Sequence, residues 1–455
     1  MGTDRKPWRV AIVGSGPSGF YAADALLKSE PCFQVNVFER LPVPYGLVRY
    51  GVAPDHAKIR NVIKVYDRIA EHERFRFWGN VEIGRDLDIE QLRTHHDAIV
   101  FAFGSQTDRS LGIEGEQLNR SYTATEFCAW YNGHPDYADR AFDLQRETAV
   151  VIGQGNVAMD VARILSMPAD ALRQTDMAGY AVEALAESKV KTVHVIGRRG
   201  PAQAAFTPKE IGELGEIEGC EFVFDNPEDL QLNPASEAEL ELPDRAAAKR
   251  NMQILYELAA RPSKGHARQI RMHFFKSPRR ILGQEAVEAV ELELNRLEGE
   301  VGAQKAVGTG QTQTLETDLF FRSVGYRGVP IPGIVFDEKR GVIPNEAGRV
   351  EPGVYAVGWI KRGPSGLIGT NKKDSEQTVD TLLTDLRHLK PAAVRDDAAI
   401  ESLLREKNVR WVSHEQWKRI DEAEIARGAK LGKPRDNFTT VEQMLDAAEG
   451  ISKVS

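Results

Sequence analysis

Two glycine-rich runs are where this 455-residue chain places residue types that could do chemistry. The first is Gly14-Ser15-Gly16-Pro17-Ser18-Gly19, set between an apolar run from Trp8 to Val13 and a helical run reaching Lys28. Glycine at 14 permits a tight turn. Glycine at 16 leaves no side chain to block a pyrophosphate, and glycine at 19 lets the helix pack on the strand. The free N–H groups and dipole at the helix start would face the phosphates. Glu39 closes the next apolar run, 33–39, twenty residues after Gly19. A carboxylate there can accept from both ribose hydroxyls of an adenosine and repels a 2′-phosphate, so this unit suits FAD or NAD.

The second run is Gly153-Gln154-Gly155-Asn156-Val157-Ala158, after an apolar run 148–152 and before a helical run through Leu165. The next strand of this unit, 190–197, ends in Arg198-Arg199 where the first unit has its acid. Two guanidinium forks would pair with a 2′-phosphate through bidentate, charge-assisted hydrogen bonds, so this unit reads as specific for NADP. Arg198 lies forty residues after Ala158, against about twenty in the usual pattern. The surplus, from Met167 through the helical-looking 169–188, reads as an inserted element.

Both runs need a parallel sheet to hold them. Candidate strands that end in glycine recur at 97–104 and 319–325, as a doubly wound sheet would supply. The segment 42–56 is turn-rich with interleaved apolar residues and reads as an ordered loop over a cofactor. His56 is its only group that titrates near neutrality. Residues 57–72 read as helix and 75–84 as strand. The segment 353–370 reads as strand, glycine-rich loop and helix start, which would bring a helix N-terminus to the pyrimidine end of a flavin. Residues from about 395 onward read as charged helices, with 428–435 as a loop.

Composition narrows the function. A net charge of −8 argues against nucleic acid as a partner. No apolar run is long enough to span a membrane. The cysteines, Cys32, Cys128 and Cys220, form neither a CxxC nor a Cys/His cluster. That points to a reducing compartment and leaves no dithiol, metal or iron–sulfur chemistry to expect from the protein itself. Residues 1–7 leave no room for a signal or transit peptide.

One localised charge feature stands out. Arg261, Lys264, Arg268, Arg271, Lys276, Arg279 and Arg280 lie in a stretch without an acid, which suggests docking of an acidic partner or a solvated basic face. Part of it, Arg271-Met-His-Phe-Phe, alternates like a strand, so some charges can point elsewhere.

FAD in the first unit and NADPH in the second is the simplest assignment. Nicotinamide gives two electrons as a hydride, and flavin can release them singly. Without a dithiol, the electrons leave to O₂, a small substrate or a one-electron carrier. A flavin-bound redox sensor that does not turn over is a further alternative.

The chain resembles the adrenodoxin reductase-like ferredoxin–NADP reductases. The matching stretches are 13–20, 42–56 (PVPYGLVRYGVAPDH), 79–81, 153–157, 197–201, 323–328, 358–364 (GWIKRGP) through Asn371-Lys-Lys373, and 432–435. The resemblance implies an α/β fold of two Rossmann-like domains: an FAD-binding domain, 1–108 and 325–455, with an NADP-binding domain, 109–324, inserted. It implies electron transfer between NADPH and a small acidic [2Fe–2S] ferredoxin. Ser18, Glu39, Leu47, Ile83, Trp359, Gly366, Leu367 and Ile368 would contact FAD, and Gln154, Asn156, Val157, Arg198, Arg199, Glu210 and Gly366 would contact NADP. His56 and Glu213 would be modulating groups near the flavin. The location would be the bacterial cytoplasm, or the mitochondrial matrix if a transit peptide has been removed.

Overall fold

The computed structural model describes residues 7–451 except Leu367. Contacts divide the chain into two compact units. One contains Met1–Thr107, Asn132–Ala138 and Gly325–Ser455; the other contains Asp108–Tyr131 and Asp139–Val324.

The first unit is built on a six-stranded sheet. Its order is Arg349–Glu351, Val354–Ala356, Ala98–Phe101, Trp8–Val13, Phe33–Glu39, Phe75–Gly79, all parallel except the first. Alternation along Trp8–Val13 divides the core. Val10 and Ile12 face a cluster with Phe20, Ala23 and Leu26 of the helix Pro17–Lys28. Ala11 and Val13 face a second cluster with Ile89, Leu92, Ile400 and Leu404. Both faces are covered, so the strands read as continuous apolar runs. Phe20 is 2% exposed and stacks on Tyr66 at 4.8 Å, an anchor worth about 1.5–3 kcal/mol of burial. Strand order reverses between Trp8–Val13 and Ala98–Phe101, the place where doubly wound sheets open a ligand crevice. The segment Asn132–Ala138 joins this unit through an Arg40–Asp136 ion pair and the Tyr50 ring, 4.7 Å from that of His134.

The second unit repeats the plan. Its parallel sheet runs Ser121–Thr123, Leu319–Arg322, Thr148–Ile152, Thr192–Ile196, Arg268–His273, Cys220–Phe224. A separate antiparallel sheet follows, Lys276–Leu282, Ala289–Glu298 and Lys305–Glu316. The surplus after the second fingerprint folds as two short helices, Ala169–Arg173 and Gly179–Ala186.

Several boundaries differ from the sequence reading. The strand expected over 75–84 stops at Gly79, because Asn80 takes a left-handed φ of 59° and turns the chain. The expected helix 57–72 is two pieces, Ala57–Arg60 and Ile63–Ala70. The loop 42–56 contains a short helix, Leu47–Tyr50. The loop expected from Gly428 begins only after Lys430, since the helix His414–Lys430 runs through Gly428.

Candidate functional site

The two fingerprints have the same backbone logic. Gly14 adopts φ +107°, and a Cβ there would lie 2.6 Å from Phe103 Cα, just past Ala98–Phe101. Gly153 adopts φ +128°, and a Cβ there would lie 2.1 Å from the carbonyl oxygen of Ser323, just past Leu319–Arg322. Each turn is thus pressed against the strand across the switch point, where only glycine fits. Gly19 would meet the carbonyl oxygen of Gly14 at 2.1 Å, so helix and turn are in direct contact. Gly16 and Gly155 differ from these: nothing lies within 4 Å of a Cβ at either position. Polypeptide packing does not require glycine there. Both residues are N-caps with no side-chain cap, so the first N–H groups of Pro17–Lys28 and Asn156–Ser166 are open to an external acceptor. Room beside uncapped N–H groups fits a pyrophosphate in each unit.

Glu39 is held in place. Its Oε2 accepts from the Ser15 backbone N–H at 3.1 Å and from Ser15 Oγ at 2.7 Å, and its Oε1 accepts from Leu41 N at 3.2 Å. A carboxylate has about four lone-pair sites, so acceptor capacity remains. The loop beside it is pinned from several sides. Tyr45 takes φ 86° and donates its backbone N–H to Ser15 O at 3.0 Å, and its hydroxyl accepts from Trp417 Nε1 at 3.2 Å. Arg49 is buried, donates to Glu424 at 2.5 Å, and lies over the rings of Tyr50 and Trp417. Glu424, 0% exposed at its side chain, also accepts from Arg435 at 2.9 Å and from Phe438 N. This explains the motif at 432–435: it supplies the second cation to a buried acid whose first cation belongs to the loop. Leu47 opens the helix of this loop, and His56 caps the next with 5% exposure.

At the other glycine-rich segment of this unit, Gly358 adopts φ +70° and donates to Asp374 Oδ2 at 2.6 Å. Ser375 donates to Ser18 O at 3.0 Å, tying the helix Ile368–Asp385 to the first fingerprint. Trp359 Nε1 is a buried donor without a hydrogen-bond partner among the described residues, a group that a ring carbonyl would satisfy. Gly366 has φ +83° and Ile368 starts the long helix. Leu367 lies outside the described residues. Ile83 is 7% exposed and packs in the core. Together the open Gly16 cradle, Glu39 and the orphaned Trp359 donor fit FAD.

In the second unit, Gln154 donates to His273 O at 2.9 Å, and Asn156 Oδ1 accepts from Thr207 N at 2.9 Å. Thr207 also donates to Glu210. Val157 lies in the first turn of its helix. Arg198 is exposed, while Arg199 is half-buried and donates to Gln203 O at 3.1 Å. Burial and then the Arg198 charge push the Arg199 pKa down, so adjacent guanidinium groups destabilise each other until an anion arrives. These features fit NADP. Glu213 pairs with Lys209 at 3.2 Å and Arg163 at 3.6 Å. His56 and Glu213 stand in different units.

The basic block is largely compensated by acids that are remote in sequence. Arg261 pairs with Glu216, Arg271 with Asp225, and Arg279 and Arg280 share Glu291. Arg268 donates to the carbonyls of Ser166 and Met167. Among the described residues Lys264, Arg268 and Lys276 form no ion pair with an acid, although Asp229 interacts electrostatically with Lys276. The sequence shows a run of seven cations, whereas the fold neutralises four of them.

Sequence reasoning missed Ser15, Tyr45, Arg49, Asp374 and Glu424. Asp374 and Ser375 sit one turn beyond Asn371 on one helix face, which is a readable spacing. The Arg49–Glu424 pair spans 375 residues and left no local signal.

Two Rossmann-type units, each with a fingerprint at its switch point, define a two-dinucleotide oxidoreductase fold. A family model described as pyridine nucleotide-disulphide oxidoreductase matches residues 8–214. The chain is 41% identical to the mitochondrial NADPH:adrenodoxin oxidoreductase of Arabidopsis thaliana, covering 97% of this chain and 96% of that one. It is 42% identical to the NADPH-ferredoxin reductase FprA of Mycobacterium tuberculosis, covering 97% and 99%. The solved structure of M. tuberculosis FprA in complex with NADPH superposes with a TM-score of 0.92, at 41% identity over 98% of this chain and all of that one. The chain belongs to the adrenodoxin reductase family of ferredoxin–NADP reductases.

Proposed function

We propose that this chain oxidises NADPH and delivers the electrons to a ferredoxin, with FAD held by the first unit and NADP(H) by the second. The observation that carries this reading is the contrast between the two adenosine ends: a carboxylate, Glu39, at one and adjacent guanidinium groups, Arg198 and Arg199, at the other. Bound FAD supplies the conversion from a two-electron donor to a one-electron acceptor.

The protein's residues bind and orient. The uncapped helix starts at Gly16 and Gly155 take the pyrophosphates. Gly14, Ser18, Gly19, Leu47 and Ile83 line the FAD side, and Trp359, Gly366 and Ile368 hold the ring end. Gln154, Asn156, Val157 and Glu210 position the nicotinamide nucleotide. His56 in the first unit and Glu213 in the second are polar groups that modulate hydride transfer rather than perform it. On this reading an FAD-binding domain spans 1–108 and 325–455 and an NADP-binding domain spans 109–324, except that Asn132–Ala138 groups with the first unit and Asp108 with the second.

The partner is a small acidic [2Fe–2S] ferredoxin. Lys264, Arg268 and Lys276, which are not in ion pairs, carry most of the charge of the candidate docking surface, with the paired Arg261, Arg271, Arg279 and Arg280 as its other members. Three cysteines without a disulfide among the described residues favour a reducing compartment, the bacterial cytoplasm or the mitochondrial matrix. No helix among the described residues is long and apolar enough to cross a membrane.

Anaerobic stopped-flow mixing with NADPH, then with [2Fe–2S] ferredoxins, tests the proposal. Rapid flavin bleaching followed by fast reoxidation is the expected result. Bleaching that only O₂ or small acceptors reverse would overturn the ferredoxin assignment. Lys264→Glu with Lys276→Glu is expected to slow ferredoxin reduction and reduce its salt dependence, leaving ferricyanide reduction unchanged. Unchanged ferredoxin kinetics would place docking elsewhere.

A further inference from the structure

The carboxyl-terminal end of the second unit's sheet brings together three ligand-type side chains that the nucleotide sites do not use. His194 lies on Thr192–Ile196, His273 ends the adjacent strand Arg268–His273, and Asp225 follows the next strand, Cys220–Phe224. One ligand atom from each lies within 4.8 Å of the others. His194 Nδ1 and His273 Nε2 are 2.8 Å apart, and His273 Nε2 is 3.3 Å from Asp225 Oδ2.

We propose that His194, Asp225 and His273 form a binding site for a divalent transition-metal ion of the zinc type. Zinc takes imidazole nitrogens at about 2.0–2.1 Å and carboxylate oxygens at about 2.0–2.2 Å in a tetrahedron, whose edges are then about 3.3 Å. The His273–Asp225 separation already has that length, and the His194–His273 edge must open by about half an ångström.

Asp225 is oriented for the role. Arg271 Nε donates to its Oδ1 at 2.7 Å, which leaves Oδ2 facing the histidines. The Asp225 side chain is 28% exposed, so an ion has access from solvent and a water can complete the tetrahedron. Two cations oppose binding: the Arg271 guanidinium is paired with Asp225, and Lys276 Nζ lies 3.3 Å from His273 Nδ1 and must turn aside when that nitrogen carries the ring proton. Affinity is therefore weaker than at a structural zinc site, and an exchangeable ion follows.

The site adjoins the NADP turn. The His273 carbonyl accepts from Gly197 N at 3.0 Å and from Gln154 Nε2 at 2.9 Å. Occupancy that shifts His273 would therefore disturb the residues before Arg198. This consequence rests on the NADP reading above, whereas the metal site does not.

The test is calorimetric titration of the metal-stripped, FAD-loaded protein with Zn²⁺, with Mg²⁺ as contrast. One equivalent of Zn²⁺ is expected to bind, and Mg²⁺ is not. His194→Gln and Asp225→Asn are expected to weaken zinc binding at least tenfold. His194→Cys, which keeps a ligand, should retain it, and Cys32→Ser with Cys220→Ser should leave it unchanged. No zinc binding by the parent, or parent-like binding by the His194→Gln and Asp225→Asn variants, would overturn the site.

In the same preparations zinc is expected to raise the KM for NADPH in the parent and not in His194→Gln. Equal inhibition in both would overturn the coupling. Failure of the NADP reading is separately visible, as an unchanged preference for NADPH over NADH in Arg198→Ala measured without zinc.

Discussion

Gly16→Ala separates what glycine does for the polypeptide from what it does for a ligand. Gly16 has φ −76° and ψ −176°, an extended conformation open to alanine, and no atom lies within 4 Å of the new Cβ. Two small terms act on the protein alone. Alanine restricts the unfolded chain and stabilises by about 0.4–1 kcal/mol. Alanine is a poorer N-cap than glycine and costs about 1 kcal/mol. They nearly cancel, so the melting temperature of the FAD-free protein should move by no more than about 2–4 °C.

The ligand-bound state is different. A methyl group above the uncapped N–H groups pushes a pyrophosphate off the helix start and removes one charge-assisted hydrogen bond, about 1.5–3 kcal/mol. FAD affinity should fall about 10–100-fold. Gly14→Ala is the contrasting control, because φ +107° and backbone atoms at 2.6 and 2.7 Å make it strained with or without FAD. Thermal melts of the FAD-free proteins and FAD titration by fluorescence quenching measure both effects. Parent-like FAD affinity in Gly16→Ala would refute the placement of the pyrophosphate. An FAD-free melt as low as that of Gly14→Ala would refute the reading of the turn.

Three further outcomes are expected. Replacing Arg198 and Arg199 by alanine should raise the KM for NADPH about 10–100-fold, the loss of one bidentate or two single charge-assisted bonds, and change the KM for NADH little; equal effects would remove the 2′-phosphate role. Glu424→Gln leaves the buried Arg49 without its counter-charge and should cost about 3–5 kcal/mol, and pairing it with Arg49→Met should restore much of the loss in a denaturant melt. Burial and then the Arg9 charge hold the His96 pKa down to about 3, so below pH 6.5 the unfolded chain takes a proton that the folded chain refuses. Stability should therefore fall with pH by about 1.4 kcal/mol per unit for this group, and melts from pH 7 to 5 should be less steep in His96→Gln than in the parent.

What was legible in the sequence was short-range. The spacing of Gly14 and Gly19 demanded a turn pressed between strand and helix, and the apolar runs at 8–13, 33–39 and 148–152 demanded buried parallel strands. These readings succeed because period, turn chemistry and capping act over a few residues. Boundaries were less legible where one residue decided them, as Asn80 does by turning left-handed after Gly79.

Only the tertiary structure decided charge and polar pairing, because Coulomb and hydrogen-bond partners are chosen by distance in space. Seven cations in one stretch read as a basic face until Glu216, Asp225 and Glu291 arrive from two turns and another strand. The motif at 432–435 had no readable purpose until Arg435 met Glu424 and, through it, Arg49. Cysteine counting and local spacing pointed to no metal site, yet three neighbouring strands gather His194, Asp225 and His273. The sequence determined where each unit could fold around a nucleotide. The fold determined which charges remain free to meet a partner.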